Sequence, residues 1–394
     1  MDARLNPDKN ARVQLDQPSK LPYSDEQKAA VRAVFGSDQV PFVKRLPGAG
    51  PRTSYTLTLP AHHYPLASGE ASWNEVSTQI ALDAAARNMT SSGTWPALNV
   101  SGSFGKIAAQ GMAFKGTQTR DVSGLWLGDT SVTIANMTIA PPAAGPGLQI
   151  EDTTYRASVT REGKKLHHQQ DMLSKRILVA GERIDNFHLA YRIRNLDVDA
   201  MAKLKADAVK LQNTEAVPAA NTAATLKQLQ SFFRSIAMKG AVLELDDFSA
   251  SYKGNTARVK GSVSMPAAKV DDASTLEMIL KKLVVRLEVR VPLALLRDVT
   301  QTIARKSPAS QGQAAQPPAA IEHMAQTMYD AALGKLMANG YAKIEKDELR
   351  TTVDVRNGDI RINGKRLPTM GKPAQATQPV PATEAVPAQQ QPAQ

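Results

Sequence analysis

Apolar and polar positions alternate strictly in two stretches of the chain. In Leu283 to Val291, LVVRLEVRV, the side chains of Leu283, Val285, Leu287, Val289 and Val291 form one set, while Val284, Arg286, Glu288 and Arg290 form the other. A period of two puts the sets on opposite sides of a strand, so this reads as a strand with one aliphatic and one charged face. In Leu349 to Ile362, LRTTVDVRNGDIRI, the pair Asn357-Gly358 suits a two-residue type I′ turn, whose central residues both need positive φ. That turn sets Val355 opposite Ile360, Val353 opposite Ile362, Arg356 opposite Asp359 and Asp354 opposite Arg361. A slip of one residue would turn the aliphatic set out to water, so the register is firm.

Elsewhere the pattern is mixed. Ser24-Asp25 caps an expected helix from Glu26 to Phe35, and Thr53 to Leu59 reads as a strand. Ala71 to Arg87 reads as a helix capped by Ser72, with Trp73, Val76 and Ile80 inward. From Ala97 to Ala140 the chain turns to short Thr/Ser/Val-rich segments separated by Gly or polar turns, the texture of an antiparallel sheet with one wet face. More strands are expected through Gln149–Val159, Lys175–Leu178 and Asn186–Arg194.

From Asn186 a recurring order is read. A strand (Leu189, Tyr191, Ile193 on one face) leads to a helix capped by Asp197 or Asp199 and carrying Met201, Leu204, Ala208 and Leu211. A linker follows, then a helix with Leu226, Leu229, Phe233 and Ile236 ending at Gly240. A hairpin turning at Gly254-Asn255 sets Tyr252 opposite Ala257 and Ala250 opposite Val259. The second copy opens with the strand from Leu283 and continues through a helix starting at Pro292. A flexible linker (Ser307 to Ala319), a helix with Ile321, Met324, Met328 and Leu336, and the Asn357-Gly358 hairpin complete it. The fold class expected is α+β: extended antiparallel β-sheets covered by amphipathic helices, with internal duplication of a strand–helix–linker–helix–hairpin unit. The divisions read as a weakly ordered 1–60, a β region 61–185, repeats at 186–280 and 281–370, and a Pro/Gln/Ala-rich tail 371–394 that cannot bury enough apolar surface to order itself.

Composition narrows the chemistry. The 394 residues contain no cysteine, which excludes disulfides, thiolate metal sites and thiol nucleophiles. No apolar run approaches the roughly 20 residues of a membrane span, and Met1 does not open a signal peptide. The net charge is +11, but Lys and Arg are scattered singly or in doublets among acidic residues, so nucleic acid is disfavoured as a partner. Adjacent strand residues point to opposite faces, so neither His62-His63 nor His167-His168 closes on one ion. Ser103-Phe104-Gly105-Lys106 fits S-x-x-K without the accompanying S-D-N and K-T-G strings. Asp246-Asp247 sits where strand alternation changes face, the mark of a bulge or turn, and Asp271-Asp272 precedes a helix start. Trp95 and Trp126 read as aromatics buried under a loop. No cofactor and no catalytic or metal site is expected.

Three segments carry a family likeness: Leu125-Trp126-Leu127-Gly128, the junction Arg194-Asn195-Leu196-Asp197-Val198-Asp199-Ala200, and Gly340-Tyr341 leading to Gly358 and Ile362-Asn363-Gly364-Lys365. Together, over roughly Trp73 to Leu367, they resemble the YdgA-like family of bacterial proteins of unknown function. The resemblance implies a membrane-anchored protein projecting into the periplasm, and it brings no catalytic residues. This N-terminus shows no such anchor, so an apolar segment is expected upstream of Met1. The function expected is a non-enzymatic, periplasmic cell-envelope protein that binds or organises a partner, an envelope protein or an anionic polymer. Arg286, Glu288 and Arg290 form the candidate binding face. The alternative is a carrier of lipid or another hydrophobic ligand held between sheet and helices.

Overall fold

The computed structural model describes residues 43–46, 52–66, 68–142, 147–212, 239–265, 281–310 and 317–367, together with Ala29, Arg32 and Met278. Strand pairing dominates it. The first strands are β1 (Val43–Leu46), β2 (Thr53–Leu59), β3 (His62–Leu66), β4 (Gly69–Trp73) and β5 (Val76–Leu82). Six long strands follow: β6 (Asn88–Gly102), β7 (Gly105–Arg120), β8 (Trp126–Ala140), β9 (Leu148–Glu162), β10 (Lys165–Val179) and β11 (Glu182–Asp197). Then come helix α1 (Val198–Gln212), β12 (Val242–Tyr252), β13 (Asn255–Ser264), β14 (Val284–Pro292), α2 (Leu293–Ser310) and α3 (Pro318–Ala338). The last strands are β15 (Lys343–Glu345), β16 (Glu348–Arg356), β17 (Asp359–Ile362) and β18 (Lys365–Arg366).

All eighteen strands belong to one sheet. From β5 to β14 each strand pairs antiparallel with its successor. β2 and β1 extend one side through β5, and β16 to β18 extend the other through β14. The β3–β4 hairpin lies against the second half of β6, and β15 against β16. A 15-residue strand such as β9 spans about 50 Å.

This architecture corrects the α+β expectation. The described residues form one large antiparallel sheet with three helices, and those helices do not cover it. α1 packs on β11, α2 on β13 and β14, and α3 on α2. Phe248 and Leu243 on the sheet remain 42% exposed. No repeat unit is shown among the described residues: α2 and α3 pack on each other, whereas α1 packs on β11 and against Leu125 and Leu166. The helix expected around Leu226–Ile236 lies outside the described residues, as do the Glu26–Phe35 helix apart from Ala29 and Arg32, the Asp271-Asp272 pair and the tail.

Local expectations divide cleanly. The hairpin register at Asn357-Gly358 is as read: Val355 faces Ile360 and Asp354 faces Arg361, with φ of 53° at Asn357 and 79° at Gly358. The other hairpin turns one residue earlier, at Lys253-Gly254, so Tyr252 faces Asn255 and Ala250 faces Ala257. That shift of the partner by two residues leaves the faces unchanged. Ala71 to Arg87 is not a helix but strands β4 and β5 with a turn after them, and Ser72 pairs with His63 and Asn99 instead of capping. Val76, Thr78, Ile80 and Leu82 also fit a period of two, and ladder pairing to β2 and β6 decides between the readings. The linker expected from Ser307 is helical to Ser310. Trp95 and Trp126 lie half-buried within strands β6 and β8.

One feature of the long strands has no counterpart in the short segments expected. At a single level the ladder is interrupted across six strands, at Pro96, Gly111, Ala135, Asp152, Lys175 and Asn186, and pairing resumes in the same register beyond. Gly111, Asp152 and Asn186 take positive φ there. A Cβ on Gly111 would stand 2.7 Å from that of Ala135, so the two strands approach too closely for a larger residue.

Candidate binding surface

The ladder register assigns the two faces of the sheet. One face carries an aliphatic row in which Val159, His168, Ile193, Leu243, Val263 and Val285 are successive partners, ending at Val355 and Ile360. His168 is held below the ordinary histidine pKa by burial among these side chains. The other face is polar. Its central row is Gln79, Ser92, Lys115, Ser131, Arg156 and Asp171, again successive partners from β5 to β10.

A hollow of about 1000 Å³ lies over this polar face, between β1 and β10. A second of about 520 Å³ adjoins it and shares Gln79, Ser92, Lys115 and Ser131. The lining is mostly Ser, Thr and Gln, with Lys115, Asp129, Arg156 and Asp171 supplying charge. Lys115 and Arg156 flank Ser131 and are separated by two strand spacings, roughly 10 Å. Both are exposed and neither forms an ion pair or hydrogen bond among the described residues.

Asp171, the direct cross-strand partner of Arg156, is engaged elsewhere. Its Oδ2 lies 2.9 Å from Nε2 of His188, whose Nδ1 is 3.0 Å from Oδ2 of Asp247. Asp247 also accepts from Ser249 Oγ at 3.2 Å and lies 3.0 Å from Nε of Arg258. An imidazole between two carboxylates is held as the imidazolium, since only then do both ring nitrogens donate. The His188 pKa is accordingly raised, chiefly by the bond to Asp171, with burial opposing and Asp247 adding to the rise. Asp246 and Asp247 stand at a bulge, as the change of alternation required: the register shifts between Leu245 and Phe248. Asp246 bonds Arg192 at 2.7 Å and 2.6 Å.

The face predicted at Arg286, Glu288 and Arg290 belongs to the same polar surface. Asp129, Ser158, Gln169, Arg192, Glu244 and Ser262 are successive partners leading to Arg286, which pairs onward with Asp354. Glu288 is taken by Arg290, at 2.5 Å and 2.6 Å, while Arg286 makes no ion pair among the described residues. The three residues named from the sequence thus lie at one margin of the polar face, and Lys115 and Arg156 lie at its centre. Nothing in a single strand marks Lys115 or Arg156, because their nearness comes from the pairing of β7, β8 and β9.

The remaining candidates resolve into structure. Ser103 and Phe104 are the turn between β6 and β7, and Phe104 is 53% exposed. His62 lies 5.5 Å from the Trp73 ring, and His63 3.6 Å from Glu70, on opposite faces of β3. His167 reaches Glu162 at 3.5 Å. Among the described residues no group of three or more His, Asp or Glu side chains is placed to hold a metal. None of the described helices is long and apolar enough to cross a membrane.

The segments that carry the family likeness form two joints. Leu125 packs with Leu166, Leu196 and Val198 in one buried cluster, and Asp197 caps α1 by accepting from Ala200 N at 3.0 Å. At the other joint Asn363 accepts from Thr352 N at 2.8 Å and donates to Gly340 O at 3.1 Å. Residues 19–370 match a family described as bacterial protein of unknown function (DUF945). The chain belongs to that family. No match is found among curated proteins. Family membership places the chain among bacterial proteins, and the two joints hold the sheet to its helices.

Proposed function

We propose that this is a non-enzymatic binding protein of the bacterial cell envelope, facing the periplasm, whose polar sheet face recognises an anionic polymer. The observation that carries the reading is a set of cations without partners among the described residues, Lys115, Arg156 and Arg286, on one continuous face with a hollow of about 1000 Å³ over its centre. Hydroxyl and amide side chains between them offer hydrogen bonds to a polar ligand without demanding one shape. The periplasmic address is supported by the resemblance to YdgA-like proteins.

The test is binding to immobilised dextran sulfate and to neutral dextran at low and high salt. Exposed charge contacts are screened beyond a Debye length of about 8 Å at physiological ionic strength. The wild type is expected to bind only the sulfated matrix and to release as salt rises, with earlier release for Arg286→Ala/Arg290→Ala. Salt-insensitive binding, unchanged in the double variant, would remove the charged-face reading. Turnover of an ester, peptide or glycan substrate would remove the non-enzymatic one. The half-exposed Phe248 and Leu243 on the opposite face favour a second reading, a carrier of lipid, which lipid extraction and mass spectrometry of the purified protein distinguish.

A further inference from the structure

We propose that Lys115 and Arg156 form an oxyanion-binding site at the centre of the polar face, taking a sulfate, phosphate or carboxylate group between them. The proposal deepens the reading above and rests on it for the ligand class. Three features of the geometry carry it. The two cations stand on either side of Ser131, whose hydroxyl can donate to an oxygen held between them. Neither cation has a partner among the described residues, and the hollow above them has room for a group far larger than an oxyanion. Asp171 stands opposite Arg156 in the ladder and is its natural partner, yet it bonds His188.

The last feature makes the site dependent on the proton state of His188. The groups facing that imidazole are Asp171 from β10, Asp247 from β12 and Ser249 beside it, with Arg258 of β13 behind Asp247. A neutral ring donates from one nitrogen only and presents a lone pair to the other carboxylate. When His188 loses its proton, Asp247 already holds Ser249 and Arg258 and gains no new partner by releasing the ring, whereas Asp171, with no other bonded partner among the described residues, gains Arg156 opposite it. The ring therefore stays with Asp247, and Asp171 turns to Arg156 and closes the site to anions. Asp129, diagonal to both cations in the next row, opposes the anion in either state.

Sulfate is the probe, because its own charge does not change across the range. The measurement is the perturbation of backbone amide resonances of β7, β8 and β9 during sulfate titration at pH 6 and pH 9. Arg156 is exposed and its contact with an anion is screened by water, so its loss should weaken binding about two- to fivefold. The wild type is expected to bind sulfate at pH 6 and several-fold more weakly at pH 9. Asp171→Asn should bind equally at both, Asp129→Asn more tightly at both, and Arg156→Ala weakly at both. Sulfate binding at Lys115 and Arg156 that is independent of pH would overturn the part played by His188 and leave the site standing. Absence of any response in β7–β9 for wild type and Asp129→Asn alike would overturn the site, even if dextran sulfate still binds elsewhere on the face.

Discussion

His188 shows how much a single side chain depends on partners that sequence does not bring near it. Asp171 and Asp247 are far from it along the chain, yet the pairing of β10, β11 and β12 places them at 2.9 Å and 3.0 Å from its two nitrogens. The consequence for stability follows from the direction of its pKa. A histidine whose folded pKa lies above its unfolded value of about 6.5 stabilises the fold fully below that value, and the contribution is lost as pH rises through the folded pKa. Urea midpoints measured from pH 5.5 to pH 9 should therefore fall for the wild type as pH passes neutrality. In His188→Gln that fall should be reduced, because the variant has no proton to lose there. Equal slopes in the two proteins would show that the carboxylates do not hold an imidazolium.

Among the elements, the legible ones were those whose pairing is local. Asn357-Gly358 dictated its own hairpin, because the turn demands positive φ at two adjacent residues and the flanking alternation admits one register. The long strands were read as short segments for a physical reason. Val132, Tyr155, Met172 and Leu189 set one apolar phase, and Met137, Ile150, Ile177 and Ile184 lie an odd number of residues away, across the interrupted level at Ala135, Asp152, Lys175 and Asn186. A period-two reading breaks at that level although the strand does not. Ala71 to Arg87 misled differently: its apolar spacing suits both periods, and only β2 and β6 select the strands. The candidate surface was legible at Arg286, Glu288 and Arg290, which lie on one strand, and illegible at Lys115 and Arg156, which do not. Element pairing also places a sharp demand on Gly261 of β13. A Cβ there would meet the Arg286 carbonyl oxygen at 2.2 Å and Leu287 Cδ2 at 2.5 Å. Gly261→Ala should destabilise the protein by about 1–3 kcal/mol, the usual range for overpacking, read as a lower urea midpoint. An unchanged midpoint would mean that β13 and β14 are not paired as described.

At the scale of the whole molecule, one sheet presents two chemically distinct faces, and the proposed recognition belongs to the polar one. Adjacent strands are about 4.8 Å apart, so charges contributed by different strands lie close enough to act on one extended ligand. Because the chain has no cysteine, single labels can be placed at will. The most direct measurement puts an environment-sensitive fluorophore on Ser131→Cys, between Lys115 and Arg156, and in a second protein on Leu243→Cys, exposed on the aliphatic face. Dextran sulfate is then titrated into each at low salt. Recognition by the polar face requires a saturable, salt-reversible change for the label at Ser131 and none for the label at Leu243. A response at Leu243 with none at Ser131 would place recognition on the wrong face and contradict it.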